Sequence, residues 1–100
     1  MPQSDDSPSG DWDFLESGDQ TIVFEKELRA EVGRGHVLDN VHVVVIARRR
    51  SQDDILVAVS GRPGVASVHL VWSGKPESAP YPITRWHASV EDAIQQLASD

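Results

Sequence analysis

Hydrophobic positions recur along this chain with two different periods, and the change of period marks where helices give way to strands. Phe24, Leu28 and Val32 fall at i, i+4 and i+8 among Glu25, Lys26, Glu27, Arg29 and Glu31, the spacing of a single helix face. Asp19 stands where a carboxylate caps a helix N-terminus, and Gly33 and Gly35 offer the positive-φ positions that stop one. The pattern predicts a helix over residues 20–32, with Thr21-Ile22-Val23-Phe24 also readable as the start of a strand.

Residues 41–47, Val-His-Val-Val-Val-Ile-Ala, are β-branched and apolar on both parities, so as a strand they need cover on both faces. A polar connection through Arg48-Arg49-Arg50-Ser51-Gln52-Asp53-Asp54 leads to a second strand, Ile55-Leu56-Val57-Ala58-Val59. Gly61-Arg62-Pro63-Gly64 then has the proline and glycine of a type II turn. In the third strand Val68, Leu70 and Trp72 share the face expected to meet the core, and Ser67, His69 and Val71 share the other. Pro76, Pro80 and Pro82 predict an ordered loop with Tyr81 and Trp86 to bury. Ser89 as cap, Asp92 in the capping-box position, and Val90, Ala93, Ile94, Leu97 and Ala98 as an apolar stripe predict the last helix.

The expected fold class is therefore α+β: a three-stranded antiparallel meander flanked by an N-terminal and a C-terminal helix, α-β-β-β-α, forming one domain over residues 19–100. If both helices lay on one face, the other would carry some of Val44, Ile46, Leu56, Ala58 and Val71 and invite a second copy of the chain. The alternatives are that the proline loop, or the segment with Trp12, Phe14 and Leu15, folds across it.

Charge changes the picture at one end only. The formal net charge is -7, but residues 1–20 hold six acids and no base, and the remaining 80 are nearly balanced with ten acids and nine bases. Residues 1–18 thus read as an acidic, largely disordered tail, with Trp12, Phe14 and Leu15 expected to pack on the protein's own surface. A near-neutral body lacks the positive field that attracts phosphate backbones, so nucleic acid is excluded as a partner. There is no cysteine, hence no disulfide and no thiolate chemistry. No apolar run reaches the length of about 18 residues needed for a membrane span, and the N-terminus lacks the basic-then-apolar order of an export signal. A soluble, cytoplasmic protein that uses no membrane is the expectation.

The four histidines show no HxH, HxxxH or HExxH spacing. Neither Ser60-Gly61 nor Ser73-Gly74-Lys75 completes a nucleophile elbow or a phosphate loop. The mixture of Arg48, Arg49 and Arg50 with Asp53 and Asp54 reads more simply as a solvated hairpin tip than as a phosphate clamp. No catalytic, cofactor-binding or metal-ligating set is assigned. What stands out is aromatic surface mixed with charge: Trp72, Lys75, Glu77, Tyr81 and Trp86, with His69 beside them, expected together at one end of the sheet as an interaction surface.

Several short runs carry a resemblance: Gly33-x-Gly35-His36-x-Leu38; Ala47-Arg48-Arg49; Asp53-Asp54-x-Leu56; Val68-His69-Leu70-x-Trp72-Ser73-Gly74-Lys75-Pro76-Glu77; and Pro82-Ile83-Thr84. Over residues 25–98 the chain resembles a set of small uncharacterised bacterial proteins, with Val71 standing where a polar Thr is expected. The resemblance implies a bacterial source and a shared fold, and it transfers no site.

The leading expectation is a small protein-interaction module that binds another protein or itself, an inhibitor or immunity-type neutraliser being one form it takes. The alternative is a small metal-dependent or hydrolytic enzyme using His69 with His42 or His36 and Asp53 or Asp54.

Overall fold

The computed structural model describes residues 11–16, 18–78 and 81–98. In chain order the elements are β1 (Trp12–Phe14), α1 (Asp19–Glu31), β2 (Val43–Arg49), β3 (Asp54–Val59), β4 (Val65–His69), β5 (Thr84–His87) and α2 (Val90–Ala98). The strands form one antiparallel sheet in the order β1-β2-β3-β4-β5. The α+β class holds, but the expected three-stranded meander is corrected to five strands by an added strand at each edge.

Each added strand has an identifiable cause. Trp12 is buried opposite Arg49, and Asp13 lies opposite Arg48 in the β1–β2 ladder. The carboxylate of Asp11 accepts the Ser51 hydroxyl, the Ser51 N–H at 3.1 Å and Arg49 Nε at 2.9 Å. Those bonds, from Ser51 foremost and then Arg49, hold Asp11 below the usual carboxylate range despite its partial burial. Asp13 lies 3.6 Å from Arg48 Nε and 3.3 Å from Arg50 Nε. Acids that read as tail are thus counter-ions of the arginine run, and they bring Trp12 onto the sheet. Residues 1–10 and 17 of the expected acidic, largely disordered tail lie outside the described residues. At the other edge, Tyr81–Pro82 is a cis peptide with the Pro82 side chain fully buried, and Thr84-Arg85-Trp86-His87 then pairs along β4.

The two helices cover opposite faces, so the expectation of a bare face beneath two helices on one side does not arise. Leu28 of α1 is buried with Val43, Val45, Ile55, Val57, Val68 and Leu70, and Phe24 and Val32 pack against this cluster. Ala93, Ile94 and Leu97 of α2 are buried with Trp12, Ala47, Leu56 and Val65 on the other side. Full burial of an Ile or Leu side chain contributes about 1.5–3 kcal/mol, so the three-residue stripe suffices to seat this short helix. A register shift between Val45 and Ala47 lets β2 serve both clusters: Val43 and Val45 join the α1 side, and Ala47 joins the α2 side.

Helix starts agree in position with the sequence pattern but differ in detail. α1 begins at Asp19 with Gly18 as N-cap, so the expected cap residue is the first helical residue. Thr21 Oγ1 accepts the Gly18 N–H at 3.1 Å and donates to the Gly18 carbonyl at 2.9 Å. At α2, Ser89 Oγ accepts the Asp92 N–H at 3.0 Å, while the Asp92 carboxylate reaches back to the Ala88 N–H at 3.1 Å.

The turn before β4 depends on Gly64, which has φ +79° and would place an added Cβ 2.3 Å from the His87 carbonyl oxygen. Positive φ alone is costly for other residues, and here the obstructing atom is backbone. Gly64→Ala is expected to destabilise the protein by on the order of 3 kcal/mol, read as a lowered urea midpoint. An unchanged midpoint would mean that the turn adopts another path.

Candidate functional site

Leu70 is the last core residue before the chain leaves the sheet. Beyond it the N–H groups of Val71 and Trp72 have no strand to pair with, and Glu31 at the end of α1 takes both. Its carboxyl oxygens accept Val71 N–H at 2.9 and 3.2 Å and Trp72 N–H at 2.7 Å. Glu27, one turn earlier, accepts the Gly74 N–H at 2.9 Å, and the Glu31 carbonyl accepts the Glu77 N–H at 2.9 Å. Two acids on one helix face thereby fix the path of residues 71–77. Trp72 is held at φ +58°, an uncommon conformation for a bulky residue, with its ring edge-on to Phe24 at 5.7 Å and the residue 43% exposed.

Glu31 itself is fully buried. Loss of solvent, reinforced by a hydrogen bond with Glu27, pushes its pKa up to about 7 in spite of the two backbone donors.

The interaction residues read from the sequence divide between places. Trp72, Lys75 and Glu77 share the clamped loop, where Ser73 Oγ donates to Glu77 Oε2 at 2.5 Å. His69 ends β4 just before it, and Tyr81 follows it, half exposed. Trp86 is elsewhere: it is partly buried in β5 opposite Ala66, toward the Gly61–Gly64 turn, with the Arg62 guanidinium 3.8 Å over its ring.

On the α2 side the sheet encloses polar groups. Asp54 Oδ1 lies 2.8 Å from His69 Nδ1, and Asp54 Oδ2 lies 3.3 Å from Arg49, whose guanidinium is also 3.4 Å from the Leu97 carbonyl. A cavity of about 260 Å³ opens here, lined by Arg49, Asp54, Ser67, His69, Arg85 and Leu97 among others. Ser67, expected on the face away from the core, is buried because α2 covers that face. Its Oγ is 2.9 Å from His87 Nε2, His87 Nδ1 is 3.1 Å from Gln96 Oε1, and Gln96 Nε2 donates to both Asp92 oxygens at 3.0 and 3.1 Å.

Of the residues weighed for an enzyme, only His69 and Asp54 meet. His36 is buried as a tie between loops: its Nδ1 accepts the Leu38 N–H at 3.0 Å, so its Nε2 donates to the Pro82 carbonyl at 2.8 Å. His42 precedes β2, exposed, beside the turn at Ser60, and Asp53 is exposed with its carbonyl accepting the Leu70 N–H. Among the described residues no three His, Cys, Asp or Glu side chains converge to hold a metal ion, and no helix is long and apolar enough to cross a membrane.

Glu31, Glu27, Ser67, His87 and Gln96 were not legible as a site in the sequence. The available signals were the spacing of Glu27 and Glu31 by one helical turn, and Ser67 and His69 sharing strand parity with the core residue Val65. No family model, curated protein or solved structure matches the chain. Fold and site together define it as an α+β protein with one helix on each face of a five-stranded antiparallel sheet and a carboxylate-clamped aromatic loop at one end.

The buried acid gives a test. The folded protein keeps the Glu31 proton up to about pH 7, whereas the unfolded chain releases it near 4.5. Between those values the native state binds more protons, so stability falls as pH rises through this window. In Glu31→Gln the amide oxygen can keep the loop N–H groups and the NH₂ can face Glu27, with no proton to lose. Relative to wild type, the variant should gain on the order of 1 kcal/mol between pH 4.5 and 8, measured by urea unfolding at both. Parallel pH profiles would show that Glu31 does not titrate in this range.

Proposed function

We propose that this chain is a small protein-interaction module whose contact surface is the clamped loop after β4, presented to another protein. The observation that carries this reading is the fixed backbone at Val71 and Trp72, where a buried carboxyl group holds both N–H groups and leaves the indole partly exposed beside Phe24. Val71, Trp72, Tyr81 and Ile83 remain 37–50% exposed on this segment, with Lys75 and Glu77 supplying charge beside them. Large apolar side chains on a backbone already ordered bind without the cost of ordering that backbone, about 1–2 kcal/mol per residue. Tryptophan and tyrosine are also the residues that most often dominate binding energy.

The partner that fits is a protein offering an apolar recess for Trp72, rimmed by groups complementary to Lys75 and Glu77. An inhibitor or immunity-type neutraliser works in this way, by covering a partner's surface with a rigid loop, and requires no chemistry of its own. A cysteine-free chain suits the reducing cytoplasm. A second copy of the chain is the competing occupant, since Phe14 and Val44 stay 55% and 47% exposed on the other side of the sheet.

Purification from the native host should yield a stoichiometric partner, and the affinity for it is then measured by calorimetry. Trp72→Ala should weaken binding by about 30-fold and Tyr81→Ala by about 10-fold, with Phe14→Ser unchanged. Retained affinity in both loop variants, or self-association abolished by Phe14→Ser as the only interaction, would overturn the assignment.

A further inference from the structure

Ser67, on the wall of the cavity under α2, begins a second arrangement that the loop surface does not use, running behind that wall through His87 to Gln96. The hydrogen bonds between α2 and the sheet have one consistent direction. The Asp92 carboxylate accepts from Ala88 N–H and from Gln96 Nε2, so the Gln96 amide is oriented with Oε1 toward His87. An amide oxygen only accepts, which puts the hydrogen of the imidazole on Nδ1. In the neutral ring Nε2 then carries the lone pair, and Ser67 Oγ–H donates into it at 2.9 Å. A serine hydroxyl hydrogen-bonded to the basic nitrogen of a histidine, itself oriented by a third group, is the arrangement of an activated nucleophile.

We propose that Ser67 is the nucleophile of an ester-hydrolysing site in this cavity, with His87 as its general base and Gln96 as the residue positioning His87. Ser67 is 4% exposed yet lines the cavity, where Arg49, Arg85 and His69 bring hydrogen-bond donors to the same enclosure. At about 260 Å³ the half-open space is just below the range of about 300–1,000 Å³ typical for drug-sized ligands, which suits a small ester. Ser67 Oγ attacks the ester carbonyl and its proton passes to His87 Nε2. The carbon–alkoxide bond breaks and the leaving alkoxide takes that proton. Water then attacks the acyl-serine, giving a proton to His87 and its hydroxyl to the acyl carbon, and Ser67 recovers its proton as the acid departs. The site deepens the hydrolytic alternative with a different base from His69 and is independent of the binding surface, because none of Ser67, His87 and Gln96 belongs to the clamped loop.

The test replaces an unknown substrate with two probes on the full chain. In Ser67→Cys, alkylation by iodoacetamide is followed by mass spectrometry across pH. Activation by His87 should move the midpoint at least about one unit below the ordinary thiol value near 8.5, and adding Gln96→Leu should return it. Wild-type protein treated with para-nitrophenyl acetate should carry an acetyl group on Ser67, and Ser67→Ala should lower nitrophenol release at least about 100-fold. An unshifted or absent alkylation profile in a folded Ser67→Cys variant overturns the proposal, as does nitrophenol release that survives Ser67→Ala. If Ser67→Cys does not fold, wild type and Ser67→Ala decide: nitrophenol release that survives Ser67→Ala, or a wild type that neither releases nitrophenol nor carries an acetyl group on Ser67, refutes the assignment. None of these results bears on the Trp72 binding measurement.

Discussion

A central strand buried on both faces is the constraint from which the rest of this molecule follows. Ile55, Leu56 and Val57 are each at most 1% exposed, and their side chains point alternately to the two sides of the sheet. Hydrogen-bonded neighbours satisfy the backbone of β3, but only cover on both sides removes its side chains from water. Among the described residues two helices are available, α1 ahead of β2 and α2 after β5, and one goes to each face. Leu28 meets Ile55 and Val57, and Ala93, Ile94 and Leu97 meet Leu56. Covering the second face also encloses polar residues on it, so the cavity beneath α2 is a consequence of the same requirement.

The shift in register between Val45 and Ala47 makes that enclosure tolerable. By moving Ala47 to the α2 side it brings Arg49 to that side too, over Trp12 at 6.0 Å and within 3.3 Å of Asp54. A buried carboxylate without a cation or donors would cost several kcal/mol. Asp54 has Arg49 on one oxygen and His69 on the other, and Arg49 is in turn held by Asp11. Asp11, Arg49, Asp54 and His69 are therefore one connected polar set reaching from the start of β1 to the end of β4, with Asp13, Arg48 and Arg50 a second set beside it. This explains why a three-residue strand such as β1 persists at an edge: Asp11 and Asp13 bind it to the arginines of β2 and the following turn.

The sequence was legible where period and punctuation agreed. The stripe of α2 and its Ser89 cap, the two apolar strands, and the Pro63-Gly64 turn all correspond to the structure within a residue or two. It was opaque where an element is defined by a partner remote in the chain. Nothing local distinguishes Asp11 and Asp13 as sheet counter-ions from acids of a solvated tail, because the distinction lies in Arg48, Arg49 and Arg50. Thr84-Arg85-Trp86-His87 follows three prolines and is too short to show alternation, so its strand character comes from β4. For the site, Trp72 could be singled out by type, but its isolation from Trp86 could not. That separation depends on where the chain turns after Leu70, which Glu31 decides from 40 residues away.

The two polar enclosures are built on different physical terms. Beneath α1, Glu31 answers backbone donors that would otherwise be left unpaired, and an unsatisfied buried N–H costs about 1–3 kcal/mol; the loop geometry alone accounts for its presence. Beneath α2 no backbone group needs Ser67, since its N–H and carbonyl belong to a strand paired on both sides. An apolar side chain of similar volume would fill that position without the desolvation cost of a hydroxyl and an imidazole, and replacing both partners of a buried pair can be neutral or stabilising. Only the outer end of the Ser67–His87–Gln96–Asp92 chain serves the backbone, where Asp92 caps α2 through the Ala88 N–H; the Ser67–His87 pair has no such duty, and its direction, from a hydroxyl at the cavity wall outward to a carboxylate, is what a proton acceptor requires.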